Sequence, residues 1–354
     1  MEATMTATKH AQWKIFLSFA MIYVVWGSTY FFIHKALSGF EPFLLGAVRF
    51  TTAGLLLLGW CYYKGYRVFE RSLIIKAGFT GLLLLFVDNG IIIWVEQFLP
   101  SGLVAIMSAS AAIWFIVLDK PNWKANFGSL PIIAGLFMGF FGVVMLFGDQ
   151  VANAMDTGQQ QVNLWGMLLL IIGAIAWTAG SLYSKYFGKA EKAAGNSLVN
   201  TAWQMTAAGA VFALTAFARG EIGRFRFSEV PAPAWWSIGY LVLFGSLIAY
   251  SSYIWLLQVR SATQVSTHTY INPIVAVLLG VFFAGETVTS TQLTGLVVIL
   301  LSVLLVNWEV YNLSALFSGK GMPRKFRGSA RIRSKIRTGA PATAGETMEN
   351  QLGD

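Results

Sequence analysis

Arg49-Phe50-Thr51-Thr52-Ala53-Gly54, inside an apolar run at residues 41–62, has a counterpart in Gln204-Met205-Thr206-Ala207-Ala208-Gly209, inside a second run at 198–218. Pairs on either side keep the same order. Upstream, Trp26-Gly27-Ser28-Thr29-Tyr30 answers Ala179-Gly180-Ser181-Leu182-Tyr183. Downstream, Ile93-Trp94 with Gln97 answers Ile254-Trp255 with Gln258, and Gly135-Leu136 answers Gly295-Leu296. One such match is within the reach of chance; four in unbroken order are an internal repeat.

The runs that carry the repeat fall at about 13–34, 41–62, 73–95, 99–118 and 128–148, then 163–186, 198–218, 234–257, 262–284 and 288–310. A membrane-spanning helix needs roughly 20 mostly apolar residues, so the pattern predicts an all-α integral membrane protein of ten transmembrane helices. Composition agrees: of 354 residues 56% are hydrophobic and 12% charged, and mean hydropathy is +0.62, where soluble domains carry roughly a quarter charged residues. Each half holds an odd number of spans, so the second copy enters the bilayer upside down. Two inverted five-helix repeats are an architecture of alternating-access carriers, with the solute held near the midplane between the halves. The expected organisation is a tail at 1–12, a first repeat at 13–148, a linker at 149–162, a second repeat at 163–310 and a tail at 311–354.

Lys and Arg in the loops set the orientation. Lys9, Lys14, Lys64, Arg67, Arg71, Lys76, Lys120, Lys124, Lys185, Lys189, Lys192 and Arg260 fall on one side, together with the C-terminal tail. That side is expected to be cytoplasmic, with both termini on it and the linker opposite. Arg219, Arg224 and Arg226 break the rule. The net charge of +9 comes mostly from the tail, Lys320 to Arg337; a cluster of this kind beside a membrane is expected to touch anionic lipid headgroups, and no nucleic-acid partner is expected. Cys61 is the single cysteine, so no intrachain disulfide is possible. No pattern of an intramembrane enzyme, such as HExxH or paired aspartates, occurs; neither enzymatic activity nor a cofactor or metal is expected. A sensor or assembly subunit is the alternative to a transporter, and no appended domain supplies its output. Nothing in the residues requires a dimer, so a monomer suffices.

Trp26-Gly27-Ser28-Thr29-Tyr30, Pro42 with Arg49-Phe50, and Trp94 to Gly102 (WVEQFLPSG) resemble the first repeat of EamA-type proteins of the drug/metabolite transporter superfamily. Gly180-Ser181, Phe244-Gly245-Ser246, Tyr270-Ile271-Asn272-Pro273 and Gly285-Glu286 resemble the second. The likeness covers roughly residues 14–308. It implies an exporter of small metabolites or amino-acid-like compounds in a bacterial cytoplasmic (inner) membrane. Where that family often has a proline in span four, this chain reads Ser110-Ala111-Ala112-Ile113; a backbone irregularity is therefore expected at Pro273 and not in span four.

Charged side chains deep in a span are costly and so are candidates for function. Asp88, beside Asn89, reads either as a site that exchanges a proton or holds a substrate amine, or as half of a fixed pair with Arg49. Arginine does not deprotonate and suits a permanent clamp. Trp26, Tyr30, Trp177, Ser181, Tyr250, Tyr253 and Tyr270 lie on helix faces that would line an aromatic cavity, although Ser, Thr and Gly on such faces also serve helix packing. His268 and Asn272 stand one turn apart in span nine, where Asn272-Pro273 is expected to loosen the helix. Glu96 and Glu286 stand at span ends and are expected in water. Trp13, Trp60, Trp123, Trp165, Trp235, Trp236 and Trp308 read as an interfacial belt.

Overall fold

The described runs are rich in Leu, Ile, Val, Phe and Ala, and in the computed structural model they fold as helices. It describes residues 2–99, 101–156, 160–187, 196–284 and 289–307; the basic tail, Trp308, Glu286, Lys189 and Lys192 lie outside them. The principal helices are α1 (Glu2–Ala36), α2 (Pro42–Tyr63), α3 (Arg71–Val95), α4 (Ser101–Ala109 and Ala111–Leu118), α5 (Leu130–Asp156), α6 (Gln160–Phe187), α7 (Asn196–Ala218), α8 (Ala232–Val259), α9 (His268–Ala284) and α10 (Ser290–Val306). There is no strand among the described residues. By length and hydropathy, Gln12–Ala36, Pro42–Tyr63, Arg71–Val95, Leu164–Tyr186 and Ala232–Val259 suffice to cross a membrane. Val104–Leu118 bends by 67° into Lys120–Phe127, and Leu130–Leu146 and Ser290–Val306 are apolar but shorter. α7 is long enough but carries Asn200, Thr201, Gln204 and Thr206, so its span is set by partners more than by apolarity.

The repeat is visible in how helices touch. The register that sets Arg49 against Gln204 also sets Thr51 against Thr206 and Gly54 against Gly209. A Cβ on Gly54 would fall 2.6 Å from the Thr206 backbone nitrogen, and one on Gly209 would fall 2.5 Å from that of Thr51. The same contact is made twice with the partners exchanged, and the two helices run antiparallel. α5 and α10 repeat the arrangement: a Cβ on Gly135 would meet Ser302 O at 2.9 Å, and one on Gly295 would meet Gly142 O at 2.8 Å. Equivalent helices that are antiparallel and share exchanged contacts are what an inverted pair of halves requires. The four glycines let the backbones close to distances that any side chain would forbid.

Backbone irregularity is shared too, though not where the prolines direct. α3 is π-helical over Leu82–Asp88 and α8 over Leu241–Tyr250. In the register of Trp94 and Trp255, Leu84 corresponds to Gly245. Each of these two carbonyls accepts a side-chain N–H: Leu84 O from Asn89 Nδ2 at 3.2 Å, and Gly245 O from Trp26 Nε1 at 3.1 Å. A π-turn leaves carbonyls poorly paired within the helix and is common at functional positions. α4 breaks at Ser110, whose hydroxyl donates to Met107 O at 2.6 Å; the first half therefore has a break without a proline. α9 runs unbroken through Pro273, and the interruption expected there lies earlier, at Ser266–Thr267. Their hydroxyls donate to Thr263 O and Gln264 O, taking over carbonyls that a continuing helix would use.

The two ends of the bundle differ. At the end formed by residues 64–70, Lys185 Nζ donates to Leu257 O and Arg260 O, both at 2.5 Å. Tyr186 donates to Asp119, and Asn122 Nδ2 donates to Tyr186 Oη and Asp119 Oδ2 at 2.8 and 3.0 Å. α4, α6 and α8 are thereby tied together. At the end formed by residues 37–41, Arg224 holds Glu41 across the bundle at 2.8 and 2.5 Å, beside a polar cavity of about 340 Å³. Trp13, Trp60, Trp123, Trp165 and Trp236 are exposed on the helix surfaces, as a lipid-facing belt requires. Trp235 instead packs on Phe40 and Phe227.

A candidate solute cavity between the halves

The π-turns and the break in α4 surround a cavity of about 80 Å³ in the middle of the bundle. That volume is room for on the order of six waters and suits a solute of a few heavy atoms. Nine of the twelve candidates line it: Trp26 and Tyr30 from α1, Arg49 from α2, Asp88 and Asn89 from α3, Trp177 from α6, Tyr250 from α8, and His268 and Asn272 from α9. Ser181 and Tyr253 lie just beneath, hydroxyl to hydroxyl at 2.6 Å. The Tyr253 ring packs on Trp26, Trp177 and His268 at centroid distances of 5.0, 4.9 and 5.4 Å. These rings form a floor. Tyr270 is not in the site: its hydroxyl donates to Leu136 O at 2.9 Å, and its ring fills the space above Gly139 in α5.

The cavity is not centred. Its lining reaches Ile33 and Ile92, each within one turn of its helix end on the 37–41 side. On the opposite side Trp177 and Tyr250 stop short of Tyr186 and Val259 by about nine residues, or about 13 Å of helix. The aromatic floor and the Lys185 bonds occupy that interval.

Asp88 is 9% exposed and has no ion pair among the described residues; its nearest polar contact is Asn89 Nδ2 at 3.5 Å. The fixed pair with Arg49 is therefore not formed. Arg49, 3% exposed, donates from Nε to Ser246 Oγ at 3.0 Å and lies 4.7 Å over the Phe50 ring, while its NH1 group has no partner. His268 donates from Nδ1 to Val265 O at 2.8 Å, since a carbonyl can only accept, which turns Nε2 into an acceptor. The Asn272 amide faces the carbonyls of His268, Tyr23 and Ile22 at 2.9, 3.2 and 3.2 Å when its nitrogen is directed to them, and so joins α9 to α1.

A charged residue departs from expectation as well. Glu96 is not in water: it is 4% exposed and neither carboxylate oxygen has a hydrogen-bond partner. Its N–H still bonds to Ile92 O at 3.0 Å, so the helical register carries the side chain inward although the apolar run has ended. Thr29, Ser108, Gly245 and Thr269 also line the cavity. All four are small and neutral: Thr29 and Gly245 stand inside the repeat motifs without a chemistry that singles them out, and no motif marks Ser108 or Thr269.

The sequence model of the EamA-like transporter family matches the chain twice, at residues 13–148 and 164–308. The inner membrane transporter YedA of Escherichia coli (strain K12) is 32% identical over 292 residues, covering 82% of this chain and 89% of that protein. A WAT1-related chloroplastic protein of Arabidopsis thaliana is 24% identical, covering 85% and 70%, and the protein PecM of Dickeya dadantii is 24% identical, covering 80% and 88%. A solved crystal structure superposes with a TM-score of 0.65 at 16% identity, covering 84% of this chain and 98% of the other; at that identity the likeness speaks for the fold alone. The chain belongs to the EamA-like transporter family, and with its apolar helices it is a multi-pass membrane transporter built of two repeated halves.

Proposed function

We propose that this EamA-like transporter is a secondary carrier that exports a small, amino-acid-like metabolite by alternating access of two inverted halves, with Asp88 as its coupling site. The observation that carries the reading is a buried carboxylate with no basic partner among the described residues, on the wall of a central cavity. A carboxylate so placed is stable only if it takes a proton, a cation or a solute amine. Exchange among these as access alternates is coupling. Trp26, Trp177 and Tyr250 supply apolar walls and ring faces for the body of the solute, and Asn89 and Thr269 neutral hydrogen-bonding groups. Ten crossings with both termini in the cytoplasm follow from the loop charges. In that orientation the Lys185 end is cytoplasmic and closed, and the cavity reaches toward the outside.

Exchanging the conformations of the halves would open the Lys185 end and close the 37–41 end. The exchanged contacts of α2 with α7 and α5 with α10 are self-equivalent under that operation, so they serve as the axis about which the rest moves. The test is flux in proteoliposomes under an imposed pH gradient, screening amino acids and related metabolites, with wild type beside Asp88→Asn. Gradient-driven flux that the variant uncouples supports the reading. Flux indifferent to both the gradient and the variant reduces the protein to a uniporter in which Asp88 is structural, and no flux of any metabolite by folded protein contradicts carriage itself.

A further inference from the structure

Of the buried charged residues described in the half of the bundle nearer residues 37–41, Glu221 pairs with Arg219, whereas Asp88, Glu96 and Arg49 make no ion-pair contact with one another. Asp88 and Glu96 lie on one face of α3 with Ile92 between them, at i, i+4 and i+8, and Ile92 lines the cavity. Arg49 faces them from α2. Its guanidinium and the Glu96 carboxylate attract each other, yet no ion-pair contact joins them. NH1 of the one and both oxygens of the other are without partners. A buried charged group left unpaired costs more than a neutral one, and complementary orphans on facing helices call for a state that satisfies them.

We propose that Arg49 is the anion-binding group of the cavity and Glu96 its internal counter-ion. A solute carboxylate takes the Arg49 NH1 and NH2 fork, and Glu96, deprived of its cation, takes up one proton from the aqueous phase as the solute binds. The fork suits a carboxylate bidentately. Nε is already anchored on Ser246, which leaves the outer nitrogens for a ligand. With Asp88 across the same cavity, the site carries both charges of a zwitterion, the anion position lying toward Glu96. The groups acting on Glu96 are Arg49 from α2 and Tyr30 from α1, and Asp88 stands two turns away on α3 itself; α6 from Leu164 to Leu182 and all of α7 bring no titratable side chain. Beyond α7, Arg219 is paired with Glu221 and Arg224 with Glu41, and Arg226 donates to Gly223 O; the cations at that end are engaged, so a proton replaces the one that Glu96 loses. This assignment rests on the reading of the cavity as the solute site and adds to it the solute's anionic group and a second proton.

The experiment uses the purified full chain in detergent with three probes: propionate, L-alanine and methylammonium. Binding is read by ligand-observed saturation-transfer NMR and protonation by infrared difference spectra, with isotopically labelled carboxylates to keep the ligand bands apart. Propionate and alanine are expected to bind, more tightly as pH falls, and to raise one protonated-carboxyl band that methylammonium does not raise. Glu96→Gln, nearly isosteric, is expected to lose that band and the pH dependence while binding propionate about tenfold more tightly, because the internal competitor is gone. Arg49→Lys is expected to weaken propionate about tenfold, by loss of the fork, and to leave methylammonium unchanged. A band that survives in Glu96→Gln, or carboxylate binding indifferent to both variants, overturns the assignment. Methylammonium binding without either carboxylate overturns it while sparing the cavity; binding of none of the three takes the solute site down with it.

Discussion

The two halves share a backbone and divide the chemistry unequally. Where the first repeat has Arg49, Asp88 and Glu96, the second has Gln204, Ala249 and Leu257 at corresponding places. The Gln204 amide is satisfied: its Nε2 donates to Thr80 Oγ1 at 2.8 Å and its Oε1 accepts from Tyr250 at 3.0 Å. Its counterpart Arg49 keeps NH1 without a partner, and both carboxylate oxygens of Glu96 are without one. The lesson is that an inverted duplication can keep its hinges symmetric while one copy specialises in charge. The common parts are the π-turns and the glycine contacts; the unequal parts are the charges.

That division can be broken in graded ways. The largest effect is expected from Asp88→Asn, which should cut gradient-driven flux by on the order of a hundredfold, the scale of removing a positioned proton-transfer group, while Tyr250→Phe in the second half should leave flux within a fewfold. The second variant should instead cost stability. It orphans Gln204 Oε1, a loss of about 1–3 kcal/mol, readable as a lower melting temperature in detergent. Next come the glycine pairs. Gly54→Ala and Gly209→Ala each force a methyl into the other helix's backbone, at about 1–3 kcal/mol apiece; exchanged contacts predict equal costs, and a clear inequality would show that the two-fold relation is only apparent.

The smallest effect is expected at Glu41. Its hydrogen bond from Arg224 holds the carboxyl below the ordinary range. A lowered folded-state pKa means a contribution that is present above the usual carboxylate range and is lost as pH falls through the lowered value. Both side chains are well exposed, so Glu41→Gln should change thermal stability little at neutral pH and should flatten only the acid limb of the stability profile.

The all-helical fold was legible because a bilayer leaves an apolar run little choice: Leu83 to Val87 and Leu168 to Ile172 lie in runs that bury their backbone polar groups in lipid by folding as helix. The repeat was legible because Gly54 and Gly209 recur where backbones touch. Asp88 announced itself by depth alone. Glu96 did not, since at the close of an apolar run a carboxylate usually meets water, and only the helical register past Val95 turns this one inward. Tyr270 was misread because a helix face reveals its period and not its neighbour. The π-turns carry no glycine or proline signal of their own, and the break at Ser110 arises from a hydroxyl bonded to its own helix, a choice that serine makes only in context.

Alternation of access is tested most directly by cysteine labelling from each face of oriented vesicles. Ser108→Cys, on the cavity wall, in a Cys61→Ala background gives a single thiol among the two half-repeats. A membrane-impermeant reagent should reach it from the 37–41 face and not from the Lys185 face. Adding Lys185→Met, which removes the bonds to Leu257 O and Arg260 O, should shift labelling toward the other face. Labelling from the Lys185 face with that lysine intact, or a pattern that Lys185→Met leaves unchanged, would contradict a carrier that is latched at one end and open toward the other.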